Sequence, residues 1–175
     1  MTQRPAPEQL ARVRMLAFDV DGVLTDARLS YDDGGGTAHS FHVRDGLALV
    51  RAVKAGLPLA AISGRRAVQV ARRLRELRVH QVRQGVDDKD ACLRSLCGPR
   101  GVDPADVAYI GDDVVDLPVF RIVGVSACPC DADPAVLRFM EAHGGWVIPH
   151  KGGRGAVREV VEAILRAQGR WQEEG

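Results

Sequence analysis

The 175-residue chain has few of the features that place a protein at a membrane or on nucleic acid. No segment approaches the roughly 20 consecutive apolar residues that a membrane-spanning helix requires. The net charge is only +1, which gives no general reason to expect a nucleic acid or an anionic membrane as a partner. Residues 1–9 are polar and rich in proline, without the apolar run of a signal peptide. We therefore expect a single cytoplasmic domain spanning residues 1–175.

The chain has only four cysteines, and their spacing argues against a zinc site. Cys128 and Cys130 are separated by one residue, whereas zinc knuckles use a Cys-x-x-Cys spacing, and no pair of histidines accompanies them. The other two cysteines are Cys92 and Cys97. We expect all four to be reduced thiols, most of them buried.

The stretch that organises the chain is FDVDGVLTD at residues 18–26. It follows an apolar run from Met15 that is typical of a buried strand. Asp19 ends this strand and Asp21 follows in a loop that Gly22 allows to turn sharply, so both carboxylates can face one small volume. A single Asp at a strand end often only caps a turn. A calcium loop is a poor alternative, because apolar residues stand where further oxygen ligands would be needed.

Apolar runs and helical patterns alternate along the rest of the chain. Short strands are predicted at residues 15–18, 58–62, 79–82, 107–110, 124–127 and 146–148. Helices are predicted at about residues 44–56, 65–78, 89–96, 134–142 and 156–168. This alternation predicts an α/β fold, a three-layer doubly wound parallel sheet with helices on both faces.

Two segments stand out from this alternation. Residues 28–43 flank a Gly-rich turn at 32–36 and predict a β-hairpin projecting from the end of the first strand, with a disordered loop as the alternative. The predicted helix at 65–78 is rich in arginine. We interpret these arginines as the solvated face of the helix; DNA binding with a steep salt dependence is the alternative.

Polar residues follow several predicted strands at the point where each strand ends. Asp19 and Asp21 follow the first strand, Ser63 the second, Lys89 the third and Asp112 the fourth. In a parallel sheet these ends share one edge, and ligands bind there at the point where the strand order reverses. Taken singly, Ser63 could cap a helix and Lys89 could be a surface cation. Together, the residues predict one site.

The residue types in this set favour phosphoryl chemistry. Carboxylates prefer hard cations such as Mg²⁺, whereas a lysine and a hydroxyl suit a phosphoryl group. Without a cation, Asp19 and Asp112 would each repel a phosphate charge by about 4 kcal/mol at 4 Å, so we expect chelated protein to bind phosphate poorly. In the reaction these groups suit, Asp19 attacks phosphorus to give an aspartyl-phosphate. Asp21 would protonate the departing alkoxide and later activate water.

These residues, in this order, resemble the haloacid dehalogenase superfamily of phosphohydrolases. Its four motifs match DVDGVLTD at 19–26, SGR at 63–65, Lys89 and GDDVVD at 111–116. The resemblance implies a Rossmann-like fold in which Asp19 is the nucleophile and Asp21 the general acid and base. It also implies phosphate contacts from Ser63, Gly64 and Lys89, Mg²⁺ ligands from Asp19, the Asp21 carbonyl and Asp112, and support from Asp113 and Asp116.

A narrower match points to one family within that superfamily. VRDG at 43–46, YIGDD at 109–113, GGRGAVRE at 152–159 and AQG at 167–169 resemble the 3-deoxy-D-manno-octulosonate 8-phosphate phosphatases. The resemblance implies a capless homotetramer whose hairpins form a barrel between subunits. It also implies a C-terminal tail, here about 151–175, that can reach a neighbouring active site. The gaps between the first three motifs agree with the capless form, because they are too short for a cap domain.

The same resemblance suggests contacts to the sugar around the mouth of the site. The candidates are His42, Arg44, Asp45, Gly46, Arg65 and, reaching a neighbouring site, Arg154. The chain departs from the family at His42, where asparagine is expected, and at the hairpin tip, which is richer in glycine. A hydrogen bond within the chain is the alternative role for His42, and a pair with a local carboxylate is the alternative for Arg154.

We therefore expect a magnesium-dependent phosphatase that acts on 3-deoxy-D-manno-octulosonate 8-phosphate in lipopolysaccharide sugar synthesis. One alternative is a phosphatase for N-acylneuraminate or other nonulosonate 9-phosphates. The other is a non-catalytic oligomerisation module like that of some sugar cytidylyltransferases. The intact set of Asp19, Asp21, Lys89 and Asp112 argues against the module.

Overall fold

A computed structural model describes residues 4–172. Its strands are, in chain order, β1 (Met15–Phe18), β2 (Ser30–Tyr31), β3 (Thr37–Ala38), β4 (Leu59–Ser63), β5 (Gln81–Gln84), β6 (Val107–Ile110), β7 (Val125–Pro129) and β8 (Trp146–Ile148). Its α-helices are α1 (Pro7–Ala11), α2 (Val43–Lys54), α3 (Val68–Glu76), α4 (Lys89–Cys97), α5 (Leu117–Phe120), α6 (Pro134–His143) and α7 (Ala156–Ala167).

Six strands form one parallel sheet in the order β5–β4–β1–β6–β7–β8. All residues of β1, β4 and β6 are buried, as expected for central strands covered on both faces. The chain builds outward from β1 to β5 on one side and then from β6 to β8 on the other. The predicted doubly wound α/β fold is confirmed, and β1 lies at the point where the strand order reverses.

The helices cover the sheet in two layers, each with its own apolar core. Leu16 and Phe18 of β1 face the layer that contains α2, α3 and α7. Met15 and Ala17 face the opposite layer, which contains α4, α5 and α6. Successive side chains alternate between the two faces because a strand has a period of two residues. None of the helices in the described part of the chain is long and apolar enough to span a membrane.

The predicted hairpin is present, although its strands are short. β2 and β3 pair in antiparallel fashion over two residues each. Asp32 closes the turn by accepting hydrogen bonds from the backbone N–H groups of Gly34 and Gly36. Gln69 of α3 donates to the Thr37 carbonyl at 2.8 Å, which ties the hairpin to the body of the protein. Between β1 and β4 the described chain contains this hairpin and α2 but no cap domain.

Element boundaries differ most from the prediction around α3 and β5. α3 starts three residues later than predicted and β5 two residues later, at Gln81. Arg78 adopts a left-handed conformation with φ 62°, and Val79 donates its backbone N–H to the Leu74 carbonyl. Val79 therefore closes the end of α3 instead of opening the strand. The sequence pattern does not predict α1 and α5, because each is too short to show an apolar repeat.

All four cysteines are free thiols, but the expectation that most are buried holds for only half of them. Cys97 and Cys128 are buried, Cys92 is half-buried and Cys130 is exposed. Burial raises the pKa of the Cys128 thiol to about 12. This cysteine therefore remains a protonated, unreactive thiol at neutral pH.

Candidate active site

Polar residues from separate segments converge at the carboxyl edge of the sheet. Asp19 directly follows β1, and its backbone N–H donates to the carbonyl of Ile110 at the end of β6. Ser63 is the last residue of β4, and Lys89 is the first residue of α4, which follows β5. Because β4 and β6 flank β1, the sheet places these side chains around one point.

Lys89 lies at the centre of the site between two carboxylates. Its ammonium group donates to Asp19 Oδ2 at 2.6 Å and to Asp116 Oδ1 at 2.7 Å, and all three side chains are buried. Burial acts to lower the pKa of Lys89, but the two carboxylates outweigh it and raise this pKa above its ordinary value. The lysine is therefore charged at neutral pH and is held beside the predicted nucleophile.

Asp116 uses its whole hydrogen-bonding capacity within the protein. Oδ1 accepts from Lys89 and, at 2.6 Å, from the hydroxyl group of Tyr109. Oδ2 accepts from the backbone N–H groups of Asp112 and Asp113, at 3.0 Å and 3.3 Å. A carboxylate offers about four lone-pair positions, and protein donors occupy them here. Asp116 therefore supports the site rather than offering an oxygen to a metal ion.

Asp112 is the opposite case, because its buried Oδ1 has no hydrogen-bond partner. One carboxylate oxygen from each of Asp19, Asp112 and Asp116 lies within 4.8 Å of the others. Burial, followed by repulsion from Asp19, Asp116 and Asp113, raises the pKa of Asp112 to about 8. Burial and Asp116 raise the pKa of Asp19 to about 6, although Lys89 opposes them. A hard divalent cation would occupy the free oxygen and offset this excess of negative charge, so the residues present fit Mg²⁺.

Gly22 allows the catalytic loop, residues 19–26, to pass directly over Asp112. Its φ is +78°, a left-handed conformation that favours glycine, and a Cβ atom here would collide with the Asp112 carboxylate. Thr25 steadies the loop from within, since its buried hydroxyl donates to the Val20 carbonyl at 3.4 Å. Both the conformation and the space at this position therefore require the glycine of the motif.

Asp21 stands apart from the buried cluster, with its side chain 24% exposed. One oxygen lies 3.9 Å from Nε of Arg65, and the other accepts a hydrogen bond of 3.5 Å from the hydroxyl of Thr25. Asp21 is only two residues from Asp19 but is accessible to water. This position suits a group that exchanges protons with a leaving group and with solvent.

Ser63 ends β4 and Asp113 follows β6, and these two strands flank β1. Ser63 is buried, and its hydroxyl oxygen accepts the backbone N–H of Arg65 at 3.2 Å. The Ser63 hydroxyl reaches the Arg65 carbonyl only at 3.4 Å, so its proton can turn toward a ligand. Gly64, next in the chain, is exposed. Asp113 accepts from the backbone N–H of Val114 at 2.6 Å and so caps the turn after β6.

Two predicted sugar contacts, Arg44 and Arg154, are exposed. Nη2 of Arg154 lies 3.5 Å from Oδ2 of Asp26, so within one chain Arg154 pairs with a local carboxylate, its alternative role. Of the predicted C-terminal tail, residues 173–175 lie outside the described part of the chain.

Asp45 and Gly46 are buried, and the structure gives them a role different from the predicted sugar contact. The Asp45 side chain is 0% exposed and accepts from the backbone N–H groups of Arg158 at 2.7 Å and Gly155 at 3.0 Å. It thereby caps the N-terminus of α7 from α2. His42 precedes α2, and its Nδ1 lies 3.6 Å from the same carboxylate. Gly46 packs against the side chains of Arg73 in α3 and of Leu77 just after it.

The Gly-rich loop at residues 151–155 supports the catalytic loop. Gly153 donates its backbone N–H to the Val23 carbonyl at 2.9 Å. Gly152 packs so closely that a Cβ atom would collide with the backbone of the catalytic loop, and its N–H donates to Asp131 Oδ1 at 2.9 Å. The two loops therefore have to keep a fixed relative position.

Tyr109 and Thr25 are two site residues that the sequence patterns did not predict. Their buried hydroxyl groups donate hydrogen bonds to Asp116 and to the Val20 carbonyl, respectively. The available signal was a polar side chain in apolar surroundings, since a buried hydroxyl needs a hydrogen-bond partner. Asp131 was also missed, and it carries no such signal because it lies in a polar loop.

Relatives of known name match nearly the whole chain. The 3-deoxy-D-manno-octulosonate 8-phosphate phosphatase of Haemophilus influenzae is 39% identical over 163 residues, which are 93% of this chain and 88% of that protein. The crystal structure of the phosphatase of the same name from Yersinia pestis has a TM-score of 0.88 and 38% identity, and covers 94% of this chain and 86% of that one. The Moraxella catarrhalis phosphatase in complex with magnesium, phosphate and KDO has a TM-score of 0.85 and 34% identity, with coverages of 93% and 91%. No protein-family model matches the chain.

Proposed function

The chain belongs to the family of 3-deoxy-D-manno-octulosonate 8-phosphate phosphatases, and we propose that it hydrolyses this sugar-acid phosphate with Mg²⁺ as its cofactor. The observation that carries the proposal is the buried cluster in which Lys89 touches Asp19 while Asp112 keeps a free oxygen. This arrangement supports the proposal, because a nucleophile, a cation for phosphate and a metal ligand would then act side by side. The products are inorganic phosphate and the free eight-carbon acid, which we assign to lipopolysaccharide synthesis.

Asp19 and Asp112 would hold the Mg²⁺ ion through carboxylate oxygens, with the backbone carbonyl of Asp21 as the third protein ligand. When bound, the ion supplies positive charge that offsets these carboxylates and the phosphoryl group. Asp116 keeps Asp112 in place by accepting the backbone N–H of that residue. In chelated protein at neutral pH the ionised Asp19, whose pKa is about 6, would repel phosphate, so we expect its phosphate affinity to be low.

The reaction begins with Asp19 as the nucleophile. A carboxylate oxygen attacks phosphorus, the bond from phosphorus to the sugar oxygen breaks, and an aspartyl-phosphate forms. Lys89 Nζ, 2.6 Å from the Asp19 carboxylate, is placed to donate to a non-bridging phosphoryl oxygen. Ser63 and the backbone of Gly64, at the end of the neighbouring strand, supply further donors to the phosphoryl group.

Asp21 transfers the protons in both half-reactions. It first donates a proton to the departing alkoxide and then removes one from the water that attacks the aspartyl-phosphate, which frees phosphate and restores Asp19. Its contacts with Arg65 and Thr25 orient the carboxyl group between the buried cluster and the opening. Because the Asp21 side chain is partly exposed, the attacking water can reach it from solvent.

Three exposed arginines at the opening are proposed to bind the sugar acid: Arg44, Arg65 and Arg154. A guanidinium group suits the substrate carboxylate, because it can donate two parallel hydrogen bonds to one carboxylate. The side chains of Arg65 and Arg154 are 49% and 65% exposed, so both are available to a ligand. His42 lies at the border of this region, beside Asp45.

A substrate panel tests the proposal. 3-Deoxy-D-manno-octulosonate 8-phosphate, N-acylneuraminate 9-phosphate and simple hexose phosphates would each be assayed with Mg²⁺ and with a chelator. We expect the first to have the highest kcat/KM and its hydrolysis to stop on chelation. A preference for the nine-carbon ester would replace the proposed substrate. Failure to hydrolyse any ester would favour a non-catalytic oligomerisation module.

The proposal includes a cytoplasmic homotetramer in which the hairpins meet between subunits. Large apolar side chains are exposed on the hairpin and on the first turns of α2 and α3: Tyr31 (70%), Val43 (76%) and Val68 (81%). Contacts between the hairpins of neighbouring subunits would cover such side chains, and four free thiols fit a reducing compartment. Light scattering should detect the tetramer, and a monomer at micromolar concentration would contradict it.

A further inference from the structure

Tyr109 is a buried residue of β6 that the proposed reaction does not use directly. Its side chain is 0% exposed, and its hydroxyl donates to Asp116 Oδ1 at 2.6 Å. The same oxygen accepts from Lys89, whose ammonium also donates to Asp19. A continuous series of hydrogen bonds therefore links the Tyr109 hydroxyl to the nucleophile.

The hydroxyl group of Tyr109 is not needed to fill the core. The ring packs edge-on against Phe120, with 5.7 Å between ring centroids, and its other neighbours in this core are apolar. A phenylalanine would fill nearly the same volume, whereas burying a hydroxyl costs free energy unless it forms a hydrogen bond. What the tyrosine adds is therefore its bond to Asp116.

Asp116 can anchor Lys89 only while its carboxylate keeps one orientation. The backbone N–H groups of Asp112 and Asp113 hold Oδ2 at 3.0 Å and 3.3 Å, whereas Oδ1 is held by two side chains at 2.6 Å and 2.7 Å. Removing the hydroxyl frees one lone pair on Oδ1, and the carboxylate can then turn. The Lys89 ammonium would lose its fixed partner opposite Asp19 and with it the position from which it meets a phosphoryl group.

We propose that Tyr109 is a positioning residue of the phosphatase, which acts through Asp116 to hold the Lys89 ammonium in place for the phosphoryl group. This inference rests on the proposed function, because it assigns phosphate binding to Lys89. The Tyr109 hydroxyl donates its hydrogen bond to Asp116 and not to the proposed metal ligand Asp112.

The test is Tyr109→Phe, which removes the hydroxyl and leaves the ring. We expect kcat to fall about tenfold, as the loss of a hydrogen bond to a charged group implies. The affinity of the Mg²⁺-loaded protein for inorganic phosphate, measured by calorimetry, should fall by about the same factor. The Mg²⁺ concentration for half-maximal activity should stay close to the wild-type value. Unchanged kcat and unchanged phosphate affinity would overturn the proposal.

Val136→Ala is the matched control for a purely structural effect. Val136 belongs to α6, is 0% exposed and lies in the same apolar core as the Tyr109 ring. Truncating it lowers thermal stability without touching the hydrogen bonds of the site. Its phosphate affinity at 25 °C should therefore equal that of the wild type. If Val136→Ala weakens phosphate binding as much as Tyr109→Phe does, the tyrosine is only structural and the proposal fails.

Labelling with 3-fluorotyrosine gives a second measurement that retains the hydroxyl group. The sequence has only two tyrosines, so Tyr31→Phe leaves Tyr109 as the single labelled position. Its fluorine resonance should shift when phosphate is added to the Mg²⁺-loaded protein, and Lys89→Ala should abolish that shift. A resonance insensitive to phosphate would contradict the proposal. Neither binding measurement needs the sugar, so failure of the proposed substrate would be seen separately in the substrate panel.

Discussion

The site has two parts that differ in burial and in the contacts that hold them. We call the cluster of Asp19, Lys89, Tyr109, Asp112 and Asp116 the catalytic floor, and the proposed sugar-binding arginines Arg44, Arg65 and Arg154 the rim. Hydrogen bonds of 2.6–2.7 Å between buried side chains connect Asp19, Lys89, Tyr109 and Asp116, and the backbone N–H of Asp112 joins them through Asp116 at 3.0 Å. In the rim, the ion pairs of Arg154 and Arg65 measure 3.5 Å and 3.9 Å and involve largely exposed guanidinium groups. The floor is therefore organised within one chain, whereas the rim has partners to gain from a substrate or a second chain.

Burial also determines how much free energy the contacts in the floor and in the rim contribute. A hydrogen bond to a charged group contributes about 1.5–3 kcal/mol, whereas an exposed ion pair contributes about 0–1 kcal/mol. Changes in the floor should therefore remove chemistry, and changes in the rim should alter substrate affinity. A floor variant that changed only substrate affinity, or a rim variant that removed chemistry, would contradict this distinction.

Asp19→Asn should have the largest effect on activity. The amide has nearly the same shape but is a very poor nucleophile, so we expect kcat to fall on the order of 10⁴-fold or more, as for other covalent catalysts. The pKa of Asp19 is raised to about 6 by burial, so losing this charge should not lower the Tm of the metal-free protein. Steady-state kinetics and a thermal melt check both expectations. A variant with about a hundredth of wild-type kcat would exclude Asp19 as the sole nucleophile.

Gly153→Ala should cause the next largest loss of activity. It changes the Gly-rich loop at residues 151–155, which supports the catalytic loop. Gly153 has φ +61°, and a Cβ atom would lie 2.6 Å from the carbonyl carbon of Thr25, so the catalytic loop would have to move. A displacement of about 1 Å can cost 10²-fold in rate, and we expect a loss of kcat of that order.

Gly144→Ala is the control for Gly153→Ala. Gly144 has a similar φ of +69°, but a Cβ atom there meets nothing within 4 Å. Both variants share the cost of a left-handed alanine, about 1 kcal/mol of stability. Only Gly153→Ala should lose kcat. Equal kcat values in the two variants would show that the Gly-rich loop does not position the catalytic loop.

Much of the floor can be predicted from the sequence, because several floor residues come directly or closely after a strand. Asp19 and Asp112 each follow an apolar run closely, and a parallel sheet brings such ends to one edge. The spacing of residues does not show which carboxylate keeps an oxygen without a hydrogen-bond partner. Asp112 and Asp116 are alike in the motif GDDVVD, and only the folded loop shows that four donors saturate Asp116.

Contacts between distant segments are the part that sequence does not predict. Asp45 binds the backbone of Gly155 from 110 residues away, whereas motif resemblance alone suggests a contact with the sugar. The left-handed conformation of Arg78, which follows α3 and delays the start of β5, is equally unpredictable from sequence. An arginine gives no signal for that conformation. Both features depend on tertiary packing rather than on local residue patterns.

Floor carboxylates should also make the stability of metal-free protein depend on pH. The pKa values of Asp19 and Asp112 rise from an ordinary 3.8 to about 6 and about 8. Because the folded protein binds these protons more tightly than the unfolded chain, this stability is present below about pH 4 and is lost as pH rises through both values. Mg²⁺ replaces the protons, so its gain in Tm should grow from pH 6 to pH 9. A gain of about 1–2 kcal/mol corresponds to roughly 2–8 °C.

Asp112→Asn provides the control for this pH dependence. It removes the group with the larger pKa shift, so the variant should be less sensitive to pH between 6 and 9 and should gain little from Mg²⁺. The rim variant Arg65→Ala should keep the wild-type pattern. A wild-type Mg²⁺ gain that does not change with pH would contradict this account of the floor.

Arg154→Ala should have the smallest effect, because the side chain is 65% exposed and its pair with Asp26 is long. A sugar contact would raise KM about fivefold and leave kcat within about twofold of the wild type, as expected for uniform binding. Arg94→Ala is the control, since it removes an arginine that is 56% exposed on α4. A wild-type KM would assign Arg154 to its local pair. A loss of kcat as large as that of a floor variant would remove the distinction between floor and rim, because Arg154 would then have to act in the transition state.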